Sequence, residues 1–153
     1  MKRAVGAAIL ILVLQGCASG RRVAEVENVP SGWPFQRASA VVTSEFGAPR
    51  GRSRHEGIDL SAPAGTPVTA TADGVVAFAG RSGDFGRLVI IDHGFGWQTR
   101  YAHLKRIKVK KGKKVARGDV IGTVGKSGNA TGYHLHYEVR RDGRTVDPRT
   151  YLR

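Results

Sequence analysis

The chain is poor in several things that most folded domains use freely. It has one cysteine, one methionine and only 7% aromatic residues in 153 positions. A single cysteine excludes a disulfide within the chain. Acids are scarce as well: 12 Asp and Glu stand against 25 Lys and Arg, for a formal net charge of +13. A balance this basic points to an anionic partner, which by charge alone is nucleic acid, an acidic membrane surface or an anionic polymer. Beyond the N-terminal region no segment keeps an apolar helical period over ten residues, so a helical bundle is not expected. No internal repeat implies a solenoid. What is abundant is glycine, 21 residues and close to twice average usage, which predicts many tight turns and short strands.

The N-terminus narrows the choice of partner. Lys2 and Arg3 precede an apolar run from Ala4 to Leu14, a positive n-region and h-region of signal-peptide length, too short for a comfortable membrane span. It ends in Leu14-Gln15-Gly16-Cys17, which resembles a bacterial lipobox, in which the cysteine becomes the lipidated first residue. The expected organisation is a signal peptide over 1–16, a lipidated Cys17 with a tether over 17–37, and a folded domain over 38–153. The residue after Cys17 is Ala18 and not Asp, which by resemblance to the sorting rule of diderm bacteria implies the outer membrane, facing the periplasm. Loss of residues 1–16 removes two cations and no acid, leaving the mature part at +11. Export also argues against nucleic acid as the target. Residues 18–37 hold two prolines and no sustained period, and read as a tether in which Trp33 and Phe35 dock on the domain.

From about Ala38 the sequence reads as short strands and turns, an all-β, mostly antiparallel domain. PVTATADGVVAFAG (67–80) looks like a hairpin turning at Asp73-Gly74, and LVIID (88–92) like a buried strand. WQTRYAHL (97–104) alternates, placing Trp97, Thr99, Tyr101 and His103 on one expected face. GYHLHYEVR (132–140) also alternates, with His134, His136, Glu138 and Arg140 on one face and Tyr133, Leu135, Tyr137 and Val139 on the other. Two of the five histidines therefore project into the same space. Two roles stand open for Glu138, a hydrogen bond to a histidine of that face or a solvated surface position; a turn role is expected for His93 and Asp92.

RHEGIDL (54–60) offers His55 and Asp59, an imidazole and a carboxylate, both good zinc ligands. It is not the helical His-Glu-x-x-His motif: position 59 is Asp, Gly57 lies inside and Pro63 and Pro67 follow, so Glu56 is not expected to act as a base. Ser44 and Ser61 lack a basic partner in register, which leaves serine nucleophile chemistry unsupported.

Taken together, RHEGIDLSAPAGTPVTATADGVV, IIDHGFGWQTRYAHL, VKKGKKVARGDVIGTVG, GNATGYHLHYEVR and VDPRTYL closely resemble the LytM/lysostaphin-type zinc endopeptidases, which cleave peptide cross-links of bacterial peptidoglycan. The resemblance covers about residues 40–152, in the family's order and spacing. It implies a grooved β fold and one Zn²⁺ held by His55, Asp59 and His136. It also implies that His103 and His134 are the catalytic pair, with either one as general base. All five positions are occupied. Tyr133 and Tyr137 stand where the family often has Pro and Phe, and Tyr133 bears on the cleft wall and peptide preference. The implied activity is hydrolysis of peptidoglycan cross-links, of the D-Ala–diaminopimelate type in a diderm cell. A non-catalytic activator of other wall hydrolases on the same fold is the alternative. A lipoyl-carrier-like module is a third reading, disfavoured by the histidine set.

The chemistry suits these residue types independently of the resemblance. A bound zinc ion polarises a scissile carbonyl and activates water. Histidine, with an ordinary pKa near 6.5, suits the proton transfer that hydrolysis needs. Finally, in KRIKVKKGKKVAR (105–117) eight of thirteen residues are Lys or Arg and none is acidic, which predicts attraction to an anionic wall polymer or lipid.

Overall fold

The computed structural model describes residues 28–153 apart from 37 and 39, so the expected signal peptide and Cys17 lie outside the described residues. Thirteen strands follow in chain order: β1 (Val41–Ser44), β2 (Pro49–Arg50), β3 (Ser53–Arg54), β4 (Ile58–Ser61), β5 (Pro67–Thr69), β6 (Gly74–Ser82), β7 (Gly86–Gly94), β8 (Trp97–Ala102), β9 (Arg106–Ile107), β10 (Lys114–Val115), β11 (Val120–Thr123), β12 (His134–Arg141) and β13 (Arg144–Val146). The main sheet runs β1-β4-β12-β8-β7-β6-β10, with β13 added to β12, and a small sheet runs β5-β11-β9. Each paired set is antiparallel, as the alternation and turn chemistry predict.

The apolar halves of the alternating segments form one core. Leu135, Tyr137 and Val139 of β12 lie on Ile58 and Leu60 of β4 and Tyr101 of β8, with Val68, Leu104, Ile121 and Val124 joining the small sheet to it. Complete burial of each such side chain stabilises the fold by about 1.5–3 kcal/mol. The hairpin from β12 to β13 turns on Asp142 and Gly143, both at positive φ (49° and 77°), the twist-matched turn that Asp-Gly favours.

Three expectations are corrected here. The stretch 67–80 is not a hairpin: β5 pairs with β11, whereas β6 pairs with β7 and β10, so Asp73-Gly74 carries the chain from one sheet to the other. Two apolar runs around Asp-Gly cannot reveal which strand each will adopt as its partner. The second correction is that residues 31–35 do not hang free. Ser31 and Gly32 donate backbone hydrogen bonds to Thr71 and Tyr151, Pro34 accepts one from Thr69, and Phe35 is 4% exposed. Trp33 packs on the same core, so both aromatics dock as expected.

The third concerns His93. It lies within β7, buried, and bonds across strands instead of within a turn. Its Nδ1–H donates to the Asp73 carbonyl (2.7 Å), and Nε2 faces the Thr99 hydroxyl (2.8 Å). From Thr99 a buried hydroxyl chain continues through Tyr101 and Thr71 to Tyr137, with steps of 2.9–3.1 Å. The Tyr137 hydroxyl, which a Phe would lack, closes this chain.

Burial lowers the His93 pKa from its ordinary 6.5, against the opposing bond to Asp73. As pH falls below 6.5 the unfolded chain takes up a proton that folded His93 refuses. Stability therefore declines on acidification toward the depressed folded-state value, by at most about 1.4 kcal/mol per pH unit from this group. Urea unfolding at pH 7.5 and 5.5 should show that decline in the native chain, and a smaller one in His93→Gln.

Candidate metal centre

Asp59 on β4 and His136 on β12 are direct cross-strand partners, so their side chains meet on one face of the sheet. His55 joins them from just before β4. The approach requires Gly57: a Cβ there would run into the Tyr137 carbonyl oxygen and lie 2.9 Å from His136 Cε1. Three donor atoms then converge. His55 Nε2 is 3.0 Å from His136 Nδ1, and Asp59 Oδ1 is 3.1 Å from the first and 2.9 Å from the second. Donors on a tetrahedral zinc at about 2.0–2.1 Å stand about 3.3 Å apart, so this triangle fits such an ion within a few tenths of an ångström. Two neutral imidazoles and one carboxylate are also the donor chemistry that ion takes.

Asp59 is held in its charged form. Burial would raise its pKa, but hydrogen bonds from His136 and His55 outweigh that and keep the carboxyl well below the usual range. Its other oxygen, Oδ2, accepts from Arg50 at 2.8 Å. Arg50 sits on the small β2–β3 hairpin, and nothing in the sequence singled it out from the many other cations.

His134 stands two residues before His136 on the same face, with Nε2 at 3.8 Å from Asp59 Oδ1. His103 reaches the cleft by a different route. In the β8–β12 register Ala102 faces His136 and Tyr101 faces Tyr137. A continued strand would therefore send His103 to the core side with Tyr101, the expected shared face. Instead β8 stops at Ala102 and His103 takes φ of 60°. That turn swings its ring to 4.7 Å from the His134 ring. A left-handed φ at a non-glycine residue costs of order 1–3 kcal/mol and persists only where the surroundings enforce it. Here the His103 backbone N–H is bound to the Phe85 carbonyl at 2.9 Å and Nδ1–H donates to the Ser127 carbonyl at 2.8 Å. Burial lowers the His103 pKa, and the neighbouring His134 and His136 add to this against the Ser127 bond. His103 is therefore neutral near pH 7.

All four cleft histidines share one device. Each commits one ring N–H to a fixed acceptor: His55 to the Glu45 carbonyl, His103 to that of Ser127, His134 to that of Gly132 and His136 to the Glu138 carboxylate. In the neutral ring that a metal takes, the other nitrogen of each is a lone pair; in the metal-free protein those of His55 and His136 lie against Asp59. With Asp59, these rings line one cleft of about 390 Å³ together with Arg50, Asp84, Phe85, Asn129 and Thr131. Tyr133, which precedes His134 in the chain, is 54% exposed and is not among the residues lining the cleft.

The wall at Asn129 depends on Gly86, whose φ is 63°; a Cβ there would collide with Ser127 and the Gly128 backbone. Gly86→Ala should displace the loop that fixes His103 Nδ1. A loss of at least tenfold in activity is expected, with metal content retained, since no metal donor touches that loop. Paired activity and bound-metal assays on the purified variant check this.

Of the two roles open for Glu138, the structure shows the hydrogen bond to a histidine and not the solvated position. The side chain is 0% exposed. Oε1 accepts from His136 Nε2 at 3.1 Å and Oε2 from Arg140 Nε at 2.9 Å, and Arg140 continues to Glu56. Alternation placed Glu138 on the histidine face correctly. It could not show that the face is covered at that point by the chain around Gly57 and by two arginines.

The family model for peptidase family M23 matches residues 53–148. Over 94 residues the chain is 52% identical to the DD-carboxypeptidase/endopeptidase Mpg of Neisseria meningitidis, covering 61% of this chain and 22% of that protein. It is 48% identical over 93 residues to the peptidoglycan DD-endopeptidase ShyA of Vibrio cholerae, with the same two coverages. The chain thus spans about a fifth of the length of these curated relatives. A crystal structure of a zinc-containing peptidase from Vibrio cholerae superposes with a TM-score of 0.74 at 37% identity, over 79% of this chain and 39% of that one. With the matched region holding Asp59, His103, His134 and His136 on a β fold shared with a solved peptidase, the chain belongs to peptidase family M23.

Proposed function

We propose that the chain is a zinc-dependent endopeptidase that hydrolyses peptide cross-links of bacterial peptidoglycan, of the D-Ala–diaminopimelate type, from a lipid anchor on the outer membrane. The observation that carries this reading is the set of four fixed histidine rings and one carboxylate lining a single cleft. The printed activities of the Neisseria and Vibrio relatives support the substrate class. The Vibrio structure's zinc supports the choice of metal.

Zinc held by His55, Asp59 and His136 would supply a Lewis acid for the peptide carbonyl and for water. The chain's own groups do the rest. Arg50 holds Asp59 Oδ2, leaving Oδ1 as the oxygen of the donor triangle. Glu138 keeps His136 in the tautomer with a free Nδ1. His103 and His134 each have Nδ1 committed, so each can accept a proton only at Nε2. A ring that has taken the proton is a donor at the same atom, and can return the proton to the leaving amine or steady negative charge on the carbonyl oxygen.

Cys17 would carry the acyl chains, and stable anchoring needs more than one. Val29, whose carbonyl accepts from Arg117, lies twelve positions after Cys17, so even a fully extended chain keeps the domain within about 40 Å of the anchor.

The test is digestion of purified peptidoglycan by the chain from residue 18 onward, with and without a zinc chelator. Release of uncross-linked muropeptides that the chelator stops supports the reading. No release under any condition favours a non-catalytic activator instead.

A further inference from the structure

Among the residues lining the metal cleft, Arg50 is the only lysine or arginine. Its hold on Asp59 occupies a single nitrogen. Nη2 donates to Asp59 Oδ2 at 2.8 Å and to Ser44 Oγ at 2.9 Å. Nε and Nη1 have no partner among the described residues, and the side chain is 47% exposed. A guanidinium presents its N–H donors as a planar fork that matches a carboxylate, so the donors on Nε and Nη1 stay open to a second one.

The far side of the cleft carries the opposite charge. Arg50 ends β2, on the segment leading into β4, whereas Asp84 lies in the turn between β6 and β7. The sheet order β4-β12-β8-β7 separates the two. Asp84 makes no ion pair among the described residues, so it repels an anion from its own side. A carboxylate entering the cleft is therefore drawn to Arg50.

The substrate proposed above has a carboxylate at the right place. In a D-Ala–diaminopimelate cross-link the carbon bonded to the scissile nitrogen also bears a free carboxylate. The carbon on the acyl side bears a methyl group instead. That carboxylate stands three bonds from the scissile carbonyl carbon, at most about 4 Å. Arg50 is equally near the donor triangle: Nη2 touches Oδ2 of the carboxylate whose Oδ1 belongs to the triangle. A carbonyl beside the triangle thus leaves its neighbouring carboxylate within reach of the guanidinium.

We propose that Arg50 is a specificity residue: with Nη2 on Asp59, its open donors bind the carboxylate of the amino acid that supplies the leaving amine. This rests on the reading of the cleft as a peptidoglycan-hydrolysing site, and names the group by which that site tells one amide from another.

The test compares two synthetic cross-linked peptides, with that carboxylate free or converted to its primary amide, on the full zinc-loaded chain in detergent. Native protein should show a kcat/KM about tenfold higher for the free acid, as expected of a charge-assisted contact at a half-exposed arginine. In Arg50→Gln the ratio should fall to near one. Loosening Asp59 would lower both rates together and leave their ratio unmoved, so the ratio separates substrate binding from support of the metal donor. Arg50→Lys keeps a cation for Asp59 but lacks the fork, and its ratio should fall as well. Binding without turnover is read by calorimetry in His134→Ala protein, where the acid should bind about tenfold more tightly and added Arg50→Gln should remove the difference. A native ratio near one, a ratio that survives in both Arg50 variants, or equal binding of the two peptides by His134→Ala protein overturns the proposal. If native protein cuts neither peptide while His134→Ala protein binds the acid more tightly through Arg50, the endopeptidase reading fails and the carboxylate contact stands.

Discussion

His136→Ala should abolish metal binding and hydrolysis together, whereas His134→Ala should abolish hydrolysis and keep the metal. The two residues stand two apart on β12 and share a face, so only their partners separate them. His136 Nδ1 lies 2.9 Å from Asp59 Oδ1 and 3.0 Å from His55 Nε2, and its loss leaves two donors where a zinc site takes three. His134 Nε2 is 3.8 Å from the same carboxylate oxygen, outside that triangle and adjacent to it. Its removal takes away proton transfer, for which a fall of about 10²–10⁴ in kcat is expected. Zinc content after dialysis, read beside muropeptide release, checks both. Retained stoichiometric zinc in His136→Ala protein would refute the donor assignment.

The second large effect is expected at Glu138. Glu138→Ala removes the acceptor that orients His136, and the loss of such a partner lowers metal affinity by about 10–100-fold. It also strips the buried partner from Arg140 and Arg100. Removing one member of a buried pair costs about 3–5 kcal/mol. Arg140 and Arg100 are 17% and 22% exposed and Arg140 keeps Glu56, which reduces the expected loss to about 2 kcal/mol. Glu138→Gln separates the two roles. Its amide oxygen can still accept from His136 Nε2, so metal affinity should stay within a few-fold of native, while the charge that holds the arginines is gone. Competition with a chromophoric chelator measures the first effect and urea unfolding of metal-free protein the second. Equal metal affinity in the native and Ala forms would show that Glu138 serves only the arginines.

How far the sequence exposes this site depends on whether a residue's role is set within its own strand. His134 and His136 are legible because a period of two puts them on one face wherever β12 is packed. Asp59 needs only to be opposite His136. The antiparallel β4–β12 register supplies that, and the family's motif order anticipates it. His103 was legible as a site residue only through its motif. By alternation it belongs with Tyr101 in the core, and a single residue at positive φ reverses its direction. Glu138 is legible only in part and Arg50 not at all. That Glu138 could bond a histidine is open to the sequence, but its burial under Gly57 and Arg100, distant in the chain, is not, and Arg50 acts from a two-residue hairpin strand that no pattern marks. The apparent hairpin at 67–80 failed likewise, because the partners of β5 and β6 are chosen by the whole sheet order. Long-range pairing is what a local pattern lacks.

The reading of the basic segment changes accordingly. As sequence it is one run of eight cations. In the fold two of them, Lys105 and Arg106, line a concavity with Arg81 and Arg87, which are distant in sequence.

The central claim is that a metal held by His55, Asp59 and His136 lets this chain cut a peptidoglycan cross-link. The most direct measurement takes one purified cross-linked muropeptide dimer and follows it by mass spectrometry with the native chain, with chelated chain and with His136→Ala. The account predicts two monomers whose summed mass exceeds the dimer by one water in the first case, and intact dimer in the other two. An intact dimer with the zinc-loaded native chain, or monomers from His136→Ala, would contradict it.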